Sequence, residues 1–75
     1  MEHYANRNGN SGVAAYEAGA DLIRVQFKDG AVYRYTYSSA GADNIEHMKQ
    51  LARNGAGLNS FIMRNVRKAY AQKER

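Results

Sequence analysis

The chain has 75 residues, a formal net charge of +4, and neither cysteine nor proline. A chain of this length forms one domain and buries only about 60 to 65% of the surface that it exposes when unfolded, so its core is small. The lack of cysteine excludes disulfides, thiolate zinc sites and a cysteine nucleophile. The two histidines, His3 and His47, form no ligand cluster, so we expect no metal and no cofactor.

Segments that would direct the chain to a membrane or across one are not recognisable. No apolar run approaches the roughly 18 to 20 residues that cross a bilayer. The opening residues, MEHYANRNGN, lack the charged-then-apolar order of a signal peptide. We therefore expect a soluble cytoplasmic protein without a membrane partner.

The positive charge is concentrated in the last part of the sequence. Residues 1–37 hold four Lys or Arg and four Asp or Glu, whereas residues 61–75 hold five against one. A basic segment of this kind is the usual electrostatic footprint of a nucleic-acid-binding protein, and it also suits the C-terminal end of a helix. Both interpretations stay open at this stage.

The first twelve residues are polar and show no periodicity, so we predict a mobile tail over residues 1–12 and a single domain over residues 13–72. The run VAAYE, starting at Val13, predicts a first strand. Residues 22–27 alternate between apolar and polar side chains, which predicts a second strand.

A turn around Gly30 connects this strand to a third one, and the side chains select its length. A two-residue Asp29-Gly30 turn would place Val25 opposite Arg34, mixing apolar and charged residues on one face. A three-residue turn places Val25 opposite Tyr33 instead, so that the pairs on that face are apolar or aromatic. We therefore predict the three-residue turn, with a positive φ at Gly30 that a side chain would penalise.

This register directs the Tyr-x-Tyr pair, Tyr33 and Tyr35, into the core, with the hydroxyls reaching its rim. The opposite face then carries Arg24 directly across from Arg34. Like charges opposite each other on a sheet are unfavourable. We expect that either Glu17 on the neighbouring strand or a bound anion relieves this repulsion.

After Tyr37 the apolar period changes from two to about three and a half, which predicts two helices. The first has Ser38 and Ser39 as N-cap candidates and ends at Asn54-Gly55. The second begins around Gly57 or Leu58, with Asn59 as a candidate cap. We predict an α+β fold in which a three-stranded antiparallel sheet is covered on one face by two C-terminal helices, β-β-β-α-α, with the other face open to solvent.

Three sets of residues resemble the KTSC domain, a small bacterial family also found at the C-terminus of some lysyl-tRNA synthetases. They are Tyr16-Glu17, the spacing Phe27-x-x-Gly30-x-x-Tyr33-x-Tyr35, and Gly55-x-x-Leu58-Asn59-x-x-Ile62. The resemblance covers about residues 13–70. It implies no catalytic residue, and it implies RNA binding chiefly through the synthetase fusion.

The sequence offers no converging set of catalytic groups, so we expect a binding module rather than an enzyme. The predicted function is RNA binding, with tRNA as one candidate ligand, through cations of the sheet and of the last helix: Arg24, Lys28, Arg34, Arg64, Arg67 and Lys68. We predict a structural role for the motif residues Phe27, Gly30, Tyr33, Tyr35, Leu58, Asn59 and Ile62. The alternative is a protein-protein interaction module, which an exposed apolar patch would favour over a continuous positive surface.

Overall fold

A computed structural model describes residues 1–7, 9 and 12–75. It contains a five-stranded antiparallel sheet in the order β1-β2-β3-β4-β5, with helices packed on one face. The strands are β1 (Glu2–His3), β2 (Val13–Ala18), β3 (Leu22–Phe27), β4 (Val32–Thr36) and β5 (Gln72–Lys73). The helices are α1 (Tyr37–Ala40), α2 (Ala42–Asn54) and α3 (Leu58–Phe61), and α3 continues into a π-helical segment, Ile62–Val66.

The register predicted for the β3-β4 hairpin is confirmed. Val25 pairs with Tyr33, and Arg24 pairs with Arg34. The Phe27 N–H donates to the Ala31 carbonyl at 2.8 Å, which closes a three-residue turn. Gly30 has a φ of 93°, in the left-handed region where a Cβ is penalised.

The predicted first helix consists of two helices. Thr36, rather than Ser38 or Ser39, is the N-cap of α1: its Oγ1 accepts from the Ser39 N–H, and the Ser39 Oγ accepts from the Thr36 N–H. Gly41, with a φ of 93°, separates α1 from α2. The predicted end of the helix is confirmed, because Gly55 is a left-handed C-cap whose N–H bonds back to Leu51 and Ala52.

The second helical region is shorter than predicted. It begins at Leu58 as expected, but its N-cap is Gly57, and the side chain of Asn59 makes no capping hydrogen bond. The helical backbone ends near Arg67, and the chain then returns to add β5 alongside β4. The prediction of three strands is therefore too low, since both ends of the described chain supply an edge strand.

The first residues also belong to the sheet, which differs from the expected mobile tail over residues 1–12. β1 pairs with β2. The Tyr4 ring that follows is 1% exposed, and its hydroxyl accepts the buried Leu58 N–H at 3.3 Å. Residues 8, 10 and 11 of the predicted tail lie outside the described residues.

The core fills the space between the inner sheet face and the helices. Its buried side chains are Tyr4, Val13, Tyr16, Ile23, Val25, Tyr35, Ile45, Met48, Ala52, Leu58, Ile62 and Val66. Lys49 is buried as well, and its ammonium group donates to the Ala20 carbonyl and to Glu46. This core holds β4 in place, with the outer sheet face on one side of the strand and the ends of the helices on the other.

Candidate functional site

The outer face of the sheet carries an ion cluster rather than an open pair of arginines. Glu74, just after β5, lies over the Arg24-Arg34 pair and accepts from Arg24 Nε at 2.9 Å. Its second oxygen is 3.6 Å from Arg34. Glu17 pairs with the other side of the Arg24 guanidinium, and Gln72 accepts from Arg34 at 2.6 Å. Neither arginine is therefore a free cation on this face.

The electrostatics of the cluster agree with its geometry. The hydrogen bonds from Arg24 hold the pKa of the Glu74 carboxyl below its usual range, and the Arg34 charge acts in the same direction. Glu17 was the expected relief for the arginine pair and does supply part of it. Glu74 supplies the rest, and it was not predicted.

On the inner side, a groove of about 450 Å³ runs between the hairpin turn and the last helical segment. It is lined by Gly12, Phe27, Lys28, Asp29, Ala31, Tyr33, Tyr35, Met63, Arg67 and Tyr70. Four of these ten residues are aromatic. The open turn of the hairpin, which is fixed by Gly30, forms one wall, and the side chains that follow α3 form the other.

The aromatic rings of the groove pack edge to face. Tyr33 is at the centre: its ring centroid lies 5.7 Å from that of Phe27 and 4.8 Å from that of Tyr70. Tyr35 is only 1% exposed, which agrees with the predicted inward orientation, and burial raises the pKa of its hydroxyl to about 12. Tyr33 is half-buried, and Tyr70 is 39% exposed. The groove thus offers aromatic surface to a ligand without unfolding the core.

Three cations border these rings. Lys28 and Arg67 line the groove itself, and the Lys73 ammonium lies 5.7 Å from the centre of the Tyr33 ring. Asp29 is the one carboxylate among the lining residues, and its Oδ1 accepts the Ala31 N–H within the turn. The immediate surroundings of the rings are therefore positive.

The remaining predicted contacts on the last helix, Arg64 and Lys68, are exposed and next in sequence to the groove residues Met63 and Arg67. Within the described part of the chain, no carboxylate forms a salt bridge with Arg64, Arg67, Lys68 or Lys28. The structure thus brings Lys28 and Arg67 together at one groove, with Arg64 and Lys68 beside it. Arg24 and Arg34 lie apart from them on the other sheet face.

The predicted structural motif divides between core and groove. Leu58 and Ile62 are fully buried between helix and sheet. Phe27 and Tyr33 are half-buried and line the groove. The half-buried Asn59 lies near Gly12.

Of the groove residues, Met63 is not among the predicted contacts, whereas Tyr70 is one of the tyrosines that the sequence leaves available for stacking. Tyr70 also fits the apolar side of the predicted second helix, but the structure turns the chain before it and leaves the ring at the groove. The exposed Met63 precedes a basic residue, a position that carries no recognisable signal.

Chemically, the groove can hold a planar or apolar group against its rings and an anion against its cations. Among the residues that the structure describes, no three His, Cys, Asp or Glu side chains form a metal-binding group. None of the described helices is long and apolar enough to cross a bilayer.

Comparisons with known proteins find no match to this chain among family models, curated proteins or solved structures.

Proposed function

We propose that this domain is a small non-enzymatic module that binds single-stranded RNA in the aromatic groove. The observation that carries the proposal is the aromatic groove bordered by Lys28, Arg67 and Lys73, two of which line it without a carboxylate partner. Proteins that bind single strands combine these two elements, cations for the phosphates and flat rings for the bases. The resemblance to the KTSC domain leads to the same expectation.

The groove is a better candidate site for RNA than the outer sheet face. Stacking of a base on an aromatic side chain contributes about 1 to 3 kcal/mol. Tyr70 offers such a surface, and Arg67 lines the same groove, where it can contact the adjoining phosphate. On the outer face, Arg24 and Arg34 already have Glu74 between them, so an RNA phosphate would first have to displace a carboxylate.

A binding titration with matched variants tests the proposal. We expect a labelled single-stranded RNA of about eight nucleotides to bind at about 50 mM salt. Arg67→Gln and Tyr70→Ala should each weaken binding about three- to tenfold, whereas Arg53→Gln should have less effect. Arg53 is an exposed residue at the end of α2 outside the groove, so it controls for the change in net charge.

The results that would contradict the proposal are equally specific. If Arg67→Gln and Arg53→Gln weaken binding by the same factor, the groove is not the site. If no RNA binds at low salt, the RNA-binding function is wrong. The protein-interaction module would then be the better account, since Met63 and Tyr70 expose apolar surface at the same groove.

A further inference from the structure

The last residues of the sequence lie against β4 as a short extended ligand would. The Ala71 N–H donates to the Arg34 carbonyl at 2.6 Å, and the Glu74 N–H donates to the Val32 carbonyl at 2.7 Å. In return, the Val32 N–H donates to the Arg75 carbonyl at 3.1 Å. Residues 71–75 therefore use both the donors and the acceptors of the β4 edge, as in peptide recognition by strand addition.

Two side chains of this segment contact the arginine pair. Gln72 and Glu74 are two residues apart in an extended segment, so they lie on the same face, above the arginine pair. Arg34 donates to Gln72, and the Arg24 guanidinium donates twice to one Glu74 oxygen. The two arginines therefore contact an amide and, two residues later, a carboxylate.

The segment is held by hydrogen bonds and ion pairs rather than by buried apolar side chains. Gln72 and Lys73 are exposed, and Glu74 is half-buried, so little apolar surface holds the segment in place. Segments that depend on exposed hydrogen bonds and ion pairs open at a small fraction of the global free energy of unfolding. When residues 71–75 detach, the main-chain groups of the β4 edge lose their hydrogen-bond partners. Arg34 loses its ion pair, and Arg24 keeps only the one with Glu17.

We propose that the β4 edge, with Arg24 and Arg34 beside it, is a docking site for an extended acidic segment of a protein partner. Residues 71–75 occupy this site in the unbound chain as an intramolecular stand-in. The β4 edge presents alternating main-chain donors and acceptors, which match an extended peptide and have no counterpart in a nucleic acid backbone. Glu17, already paired with Arg24, favours a singly charged carboxylate over a phosphate group.

Docking of such a segment would also change the groove on the opposite face. Lys73 belongs to the displaced strand, and its ammonium borders the Tyr33 ring. A partner that replaces residues 71–75 therefore removes one cation from the groove. The outer-face site and the groove are coupled through this single strand.

Amide hydrogen exchange on the full chain tests whether the segment opens. We expect the Val32 and Ala71 amides to exchange at least about tenfold faster than the amides of the central β3 strand. Glu74→Gln should accelerate the Val32 and Ala71 exchange further, because it weakens the ion pairs that hold the segment. If the Val32 and Ala71 amides exchange as slowly as β3, residues 71–75 are a fixed part of the fold and the proposal is wrong.

Peptide titration tests the docking site itself. The probe is an acetylated peptide of residues 69–75, added to isotope-labelled full-length Glu74→Gln protein and followed by NMR. We expect shifts at Val32, Arg34 and Arg24, with affinity about tenfold higher than for the wild-type chain, whose own carboxylate competes. A peptide with glutamine in place of its glutamate should bind about tenfold more weakly. The original peptide should also bind about tenfold more weakly to a protein that carries both Arg24→Gln and Glu74→Gln.

Two outcomes would overturn the docking site: no shift at the β4 edge, or equal binding of the glutamate and glutamine peptides. Neither outcome bears on RNA binding in the groove, which is measured separately with Arg67→Gln.

Discussion

Two glycines with positive φ differ in what surrounds them, and this difference can be measured. At Gly30, with a φ of 93°, an added Cβ meets nothing within 4 Å, so Gly30→Ala should cost only the backbone strain, about 1 kcal/mol. At Gly55, with a φ of 76°, the Cβ would lie 2.5 Å from the Ala5 Cβ. Gly55→Ala should therefore cost more, about 2 to 4 kcal/mol, because overpacking adds to the strain.

Urea unfolding of the two variants measures which one loses more stability. Ala5→Gly serves as a second substitution that removes the atom with which the new Cβ at position 55 would clash. Combined with Gly55→Ala it should recover part of the lost stability, whereas combined with Gly30→Ala it should recover none. Equal losses for the two single variants would show that Ala5 is not packed against Gly55.

Tyr35 makes the stability of the fold sensitive to alkaline pH. Its pKa is about 12 in the folded chain, above its ordinary value of 10.0, because burial disfavours the phenolate. The neutral hydroxyl is therefore favoured by folding below pH 10, and this contribution is lost as the pH rises from 10 towards 12. Tyr35→Phe keeps the ring, so we expect it to lose less stability than the wild type between pH 8 and pH 11. Urea unfolding of both proteins at pH 8 and pH 11 measures the two losses of stability. If the wild type and Tyr35→Phe lose the same amount, the burial of this hydroxyl is contradicted.

Among the secondary-structure elements, β5 should be held less firmly against β4 at acid pH. The pKa of Glu74 is lowered by Arg24, from an ordinary value of 4.5, so the folded state favours the carboxylate. This stabilisation is fully present above pH 4.5 and is lost as the pH falls through the folded pKa. Glu74→Gln should therefore lower the Tm more at pH 7 than at pH 3. A variant that lowers the Tm equally at both pH values would show that the carboxylate charge is not what holds the strand.

The central hairpin could be predicted from the sequence because every signal that defines it is local. The matching of apolar and aromatic side chains across the two strands excludes the shorter turn, and the observed pairing of Val25 with Tyr33 follows. The end of α2 at Gly55 was predictable for the same reason, since the C-cap glycine directly follows the apolar stripe.

The edge strands could not be predicted, because each has only two residues and the side chains that fix them make contacts far away in sequence. Tyr4 lies in a mostly polar run without periodicity, and its hydroxyl accepts a hydrogen bond from the Leu58 N–H, 54 positions away. Glu74 follows a basic helical pattern, and its contact with Arg24 spans 50 positions. Neither strand has an alternating apolar face. Main-chain bonds hold both, with a hydrogen bond from Tyr16 to Glu2 at β1 and the ion pairs of Glu74 beside β5. The Glu74 carboxylate between Arg24 and Arg34 was not predicted for the same reason, whereas Lys28 and Arg67 remain candidate contacts at the groove.

Over the whole molecule, the excess of positive charge predicts how RNA affinity responds to salt. For single-stranded nucleic acid, a plot of the logarithm of the binding constant against the logarithm of the salt concentration has a slope of about −0.7 for each phosphate that the protein neutralises. With Lys28, Arg67 and Lys73 as the contacts, we expect a slope of about −2, and about −1.4 for Arg67→Gln. Titrations at four or more salt concentrations measure both slopes. A slope near zero would show that the phosphates are not contacted.

The order of the strands in the sheet follows their order in the chain, and this governs how the domain assembles. The β2-β3 and β3-β4 hairpins close short loops, which costs little chain entropy, so they can form early together with α2. The contact of Tyr4 with Leu58 at one edge spans 54 positions and that of Glu74 with Arg24 at the other spans 50, so both can form only after the chain between them has folded. Folding should therefore begin at the centre of the sheet and finish at its edges, with unfolding starting from the same edges.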